Sequence, residues 1–138
     1  MRTEAAKTAS AIKSELKKAF PRIKFRVRSS NFAGGDSVSI RYENGVPYKE
    51  IEKITDKYQY GNFNGMEDIY ESDNRREDIP QAKYVQVSRH ITENKRKEAK
   101  KDIMKKYGFK EWEDQVIMDK LGIWSDQLLW EELKDKIL

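Results

Sequence analysis

Apolar positions along this chain change period several times, and each change predicts an element. Ala5, Ala9, Ile12, Leu16 and Ala19 recur at helical spacing, and Pro21 ends that helix because proline has no N–H for a further turn. Ile23, Phe25 and Val27 then alternate with Lys24, Arg26 and Arg28, the period of a half-buried strand. Val38, Ile40 and Tyr42 alternate with Ser37, Ser39 and Arg41 in a second strand, which Asn44-Gly45 closes with a turn. Pro47 suits the first turn of a second helix whose apolar face is Ile51, Ile54 and Tyr58. From Gln59 to about Gln81 no period holds, and the segment reads as irregular. Val85 and Val87, bordered by Tyr84, Gln86 and Ser88, mark a third strand. Thr92 can cap a helix running to about Tyr107, Gly108 stops it, and two shorter helices fill 111–138.

The order α-β-β-α-β-α predicts an α+β fold: a small antiparallel three-stranded sheet with helices on one face, followed by C-terminal helices. Residues 1–108 are expected to form the α+β domain, with 109–138 an acidic helical extension packed on it. One sheet face can be buried while the other meets water. Ile23, Phe25, Val27, Val38, Ile40, Val85 and Val87 go to the buried face. Alternation then sends Lys24, Arg26, Arg28, Ser37, Ser39, Arg41, Tyr84, Gln86 and Ser88 to the open one, with His90 at its margin.

Charge sharpens that division. The net charge of +4 is unevenly spread: residues 111–138 hold three Lys against eight acids, or −5, leaving +9 on the rest. A basic module that meets an anionic partner, with an acidic element of separate role, fits this asymmetry, and so does simple solvation of both parts. There is no Cys, which excludes a disulfide framework, a thiolate nucleophile and a Cys-based zinc site. His90 is the only His, so a His-rich metal centre is excluded as well. No run approaches the ~20 apolar residues that span a bilayer. A soluble cytoplasmic protein with no membrane partner and no cofactor is expected.

Candidate chemistry follows from the open face. Lys24, Arg26, Arg28 and Arg41, among hydroxyls, suit phosphates, and Tyr84 could stack on a base. Exposed strands also carry Lys and Arg to prevent edge pairing, so solvation explains the same residues. Lys97 and Lys101 belong to a lysine-rich helix able to lie along phosphates; the competing reading, which the pattern favours slightly, is a solvated helix with Ile103, Met104 and Tyr107 on its buried side. Gly34-Gly35 permits a backbone anion cradle, but no Lys-Ser/Thr follows as in a phosphate-binding loop. The competing reading is a bulged hairpin connection with Phe32 packed inward. Glu67, Asp68 and Glu71 in the aromatic segment 58–70 and just after it lack the further oxygens in register that a divalent cation needs. No catalytic residue and no metal ligand is therefore assigned, and an enzyme is not expected.

The run AIKSELKKAFP at 11–21, then KFRVRSSNFAGGDSVSIRY at 24–42 and YQYGNFNGMEDIY at 58–70, resembles the large polyvalent protein-associated domains of phages and conjugative elements. The resemblance covers about residues 9–90. It implies an α+β module of a mobile genetic element, helping incoming DNA or countering host defence in a bacterial cell, with no enzymatic activity to carry over. The tail beyond about His90 lies outside it. There Trp124 and Trp130 would be natural anchors for a protein partner if exposed. The leading expectation is a non-enzymatic protein that binds a host-defence protein or nucleoprotein complex, for instance as an anti-CRISPR inhibitor. The alternative is an accessory domain that binds DNA or RNA through the basic sheet face and the lysine-rich helix. The apolar tail also leaves room for a homodimer.

Overall fold

The first helix forms where the apolar period requires it. In the computed structural model, which describes residues 3–138, α1 (Glu4–Ala19) is capped by Thr3, whose hydroxyl accepts the Ala6 N–H. It buries Ala5, Thr8, Ile12 and Leu16, and the Thr8 hydroxyl donates to the Glu4 carbonyl, so this buried donor is paired. Two strands follow, β1 (Arg26–Phe32) and β2 (Gly35–Glu43), then α2 (Tyr48–Thr55) with a single 3-10 turn at Asp56–Tyr58. After a short hairpin of β3 (Asn62–Asn64) and β4 (Ile69–Glu71), β5 (Tyr84–His90) returns to the main sheet. The remaining helices are α3 (Glu93–Tyr107), α4 (Asp114–Leu121) and α5 (Ser125–Leu133). The fold is α+β, and the chain divides into two compact units: Met1–Glu43 with Tyr48–Arg89, and Asn44–Pro47 with His90–Leu138.

In the first unit the sheet order is β1-β2-β5, and α1 packs against β1, β2 and α2. Val38, Ile40 and Tyr42 alternate inward on the central strand, next to the buried side chains of α1 and Ile51 of α2. Each such aliphatic side chain contributes roughly 1.5–3 kcal/mol through burial. The pairing corrects the expected all-antiparallel sheet. β1 and β2 are antiparallel, but Asp36 lies beside Lys83 at one end of β2 and Asn44 beside His90 at the other, so β5 runs parallel to β2. The physical reason is the connection: α2 and the segment after it carry the chain back to the starting end, as a parallel crossover must.

Two more expectations change. Strand β1 begins at Arg26, because the Phe25 ring is turned between Phe20 (6.3 Å) and Tyr42 (5.5 Å) and anchors the chain before pairing starts. The β1–β2 connection is the two-residue turn Ala33-Gly34, with Gly34 at φ 95° and no bulge in the register from Arg26–Arg41 to Phe32–Gly35.

The second unit has its own core. Ile91, Ala99, Ile103, Phe109, Ile117, Leu128, Leu129 and Leu133 form one buried cluster, and α5 packs against both α3 and α4. Thr92 occupies the N-cap position of α3, yet its hydroxyl is held by the Asn44 side-chain amide (3.2 Å) rather than by the helix. Among the described residues no helix is long and apolar enough to cross a membrane.

Candidate functional site

Register decides which side chains of the hairpin meet. In an antiparallel pair, directly opposite residues share one face. Arg26 stands opposite Arg41, Arg28 opposite Ser39, and Ser30 opposite Ser37. All three arginines are exposed, and among the described residues none is ion-paired with a carboxylate. Opposed like charges weaken a strand pair, and β1, which carries two of the three arginines, is an edge strand of the sheet, where such charges also discourage pairing with another chain. On β5, Gln86 and Ser88 are exposed and alternate with the half-buried Val85 and Val87. Lys24 is exposed two residues before β1 begins.

At the turn end, the same face becomes aromatic. Phe32 is 47% exposed and stacks on Tyr84, with ring centroids 6.3 Å apart and planes inclined by 23°. Phe32 is paired with Gly35 on the intervening strand, which has no side chain to obstruct its ring. A Cβ there would lie 3.5 Å from the Phe32 ring and 2.6 Å from the Lys83 chain. Tyr70 meets Tyr84 edge-on (5.5 Å), and Tyr60 meets Tyr70 in the same way (5.9 Å). The Lys83 ammonium lies 5.0 Å from the Tyr70 ring centroid and donates to the Gly34 carbonyl (2.8 Å). Arg75 sits over Tyr60 at 4.2 Å. The Tyr70 hydroxyl donates to the Lys83 carbonyl, and burial pushes its pKa up to about 12, helped by the neighbouring Tyr60 and Tyr84.

Side-chain amides hold this cluster in place. The Gln59 amide donates to the Gly61 carbonyl (2.8 Å) while its oxygen accepts the Val85 N–H (2.8 Å) on β5. The buried Gln81 donates to the carbonyls of Lys57 (2.7 Å) and Asn74 (2.9 Å) and accepts the Arg76 N–H (2.8 Å). A segment without hydrophobic period is thus ordered by polar side chains doing the work of a backbone ladder. That segment contains the β3–β4 hairpin, where only irregular chain was expected.

The structure therefore brings Arg26, Arg28 and Arg41 together on one face, with Phe32 and Tyr84 at its end. Tyr84, the residue expected to offer a stacking surface, is half-buried between Phe32 and Tyr70. The reading with Phe32 packed inward is overturned: its ring lies outside, on top of Tyr84. Sequence reasoning missed Phe32 as a site residue, although its even spacing from Arg26 and Arg28 was a signal for the same face.

Lys97 and Lys101 are exposed one turn apart on α3, in the second unit, where Ala99 and Ile103 are buried. In that unit Trp124 is 54% exposed and Trp130 47%. Six residues apart at the start and within α5, they do not share one helical face. The Gly34 carbonyl accepts from Lys83, which ties the turn to β5. Among the described residues no group of three or more His, Cys, Asp or Glu could hold a metal ion.

No curated protein and no solved structure matches the chain. The family model described as large polyvalent protein associated domain 29 matches residues 3–99, which takes in the whole sheet with its arginines and aromatic end. Covering well over half of the sequence, that match means the chain belongs to the large polyvalent protein associated domain 29 family.

Proposed function

We propose that this protein is a non-enzymatic module of a mobile genetic element that binds the phosphate backbone of nucleic acid on its open sheet face. The observation carrying this reading is the group Arg26, Arg28 and Arg41, exposed, without carboxylate partners among the described residues, and including an opposed arginine pair. A bound anion would relieve the repulsion of the opposed pair, and arginine's planar fork matches phosphate oxygens. Ser30, Ser37 and Ser39 add donors around it. Lys97 and Lys101 supply a second basic stripe on α3.

Fluorescence anisotropy with labelled oligonucleotides at several salt concentrations tests the proposal. Three phosphate contacts predict a slope of log affinity against log salt of about −2 for single strands. Reversing Arg26, Arg28 and Arg41 together to Glu should abolish binding and leave the melting temperature roughly unchanged. Undiminished affinity in that variant would rule out this face.

The exposed Trp124 and Trp130 favour a second reading, in which the acidic tail binds a protein component of a host-defence nucleoprotein such as a CRISPR effector. Changing both to Ala should then eliminate co-purification with the effector while leaving oligonucleotide binding intact. Retained co-purification would count against the tail as the docking surface.

A further inference from the structure

We infer that the ligand of the sheet face is single-stranded nucleic acid, and that one of its bases stacks on Phe32. This rests on the phosphate-binding reading above and goes beyond it by naming the strand state and the residue that selects it. One side of the Phe32 ring lies on Tyr84, and nearly half of the residue remains open to water. What distinguishes this ring from the other exposed apolar side chains is its place at the end of the arginine-bearing face and its stacking on Tyr84. Its support is built in several layers. Tyr84 is braced edge-on by Tyr70, Tyr70 is tied by its hydroxyl to the Lys83 carbonyl, and the Lys83 ammonium is tied to Gly34. The ring is thus held before any ligand arrives, so little conformational entropy is lost on stacking.

Placement relative to the arginines sets the strand state. Phe32 lies four residues beyond Arg28 on β1, ~13 Å along the strand and on the same face. A chain whose phosphates lie on Arg26, Arg41 and Arg28 would bring a base over Phe32 as it passes the turn. Lys83 has donors left for a further phosphate after bonding Gly34. In a duplex every base face is already stacked, and exposing one requires unpairing it. A single strand offers its base faces freely, and stacking of this kind tolerates any base.

The test compares oligothymidine, an abasic deoxyribose-phosphate strand of equal length and the matching duplex, with wild-type protein and the variants Phe32→Ala and Phe32→Trp. Oligothymidine should bind about tenfold more tightly than the abasic strand. Phe32→Ala should remove that advantage while leaving abasic-strand affinity unchanged, and Phe32→Trp should keep it. Equal binding of oligothymidine and the abasic strand would overturn the stacking inference and leave phosphate binding standing. So would an equal loss of affinity for both strands in Phe32→Ala, or a preference for duplex. Absence of binding to all three ligands would remove both readings together.

Discussion

Arg26 and Arg41 show at the level of single residues how function and stability pull apart. Directly opposed on neighbouring strands, they repel, and among the described residues neither forms an ion pair with a carboxylate. Arg26→Thr replaces one guanidinium with a side chain suited to strands. It should raise unfolding free energy by about 0.2–1 kcal/mol, measured by denaturant titration, and at the same time weaken oligonucleotide binding. A variant that lost stability would mean the arginine pair is held by interactions that favour the fold. Phe32 makes the complementary point. Its face could be counted from Arg26 and Arg28, but its exposure could not, because that depends on Gly35 and Tyr84 leaving it a shelf to lie on.

Elements with a strong hydrophobic period were legible. α1, β2 and β5 form where Ile12 and Leu16, Val38 and Ile40, and Val85 and Val87 set the repeat, since burying one face requires those positions to align. The hairpin β3–β4 was not legible, for a physical reason. Its strands are three residues each, Phe63 and Ile69 are exposed, and of its apolar residues Tyr70 alone turns inward, too few positions to set a period. Asn64 orders the hairpin locally, accepting the Met66 and Glu67 N–H groups and donating to Glu71, while bonds with partners further along the chain hold the flanking segment: Gln59 to β5, and Gln81 to Lys57 and Asn74. A glutamine's partners cannot be read from its neighbours along the chain. Similarly, Thr92 had the residue type and position of a helix cap, but Asn44, far back in sequence, claims its hydroxyl.

At the scale of the whole molecule, two buried tyrosines, Tyr42 and Tyr58, and the half-buried Tyr70 couple folding to alkaline pH. Burial is the largest cause that pushes Tyr42, Tyr58 and Tyr70 from the ordinary value of 10.0 up to about 12, and Tyr58 is raised further by donating to the Glu15 carboxylate (3.0 Å). The folded state therefore holds the neutral phenol more firmly than the unfolded chain does. This stabilisation is fully present below pH 10 and is lost as pH rises toward 12. Denaturant midpoints should be level up to about pH 10 and fall above it, in step with tyrosinate absorbance. All three residues belong to the first unit, so signals from the sheet should report the loss. A midpoint level through pH 12 would show these phenols free to ionise in the folded protein.

The amino-acid order alone determined that this is an α+β chain, where its long helices and sheet strands lie, and that cations gather on one strand face. These properties depend on local periodicity, and burial of one face enforces them. Tertiary structure decided what depends on residues meeting across long separations. It set β5 parallel to β2, gave α3 a core shared with α4 and α5, covered Tyr84 and left Phe32 open. The difference is physical: a period specifies which way a side chain points, whereas only packing specifies what it finds there.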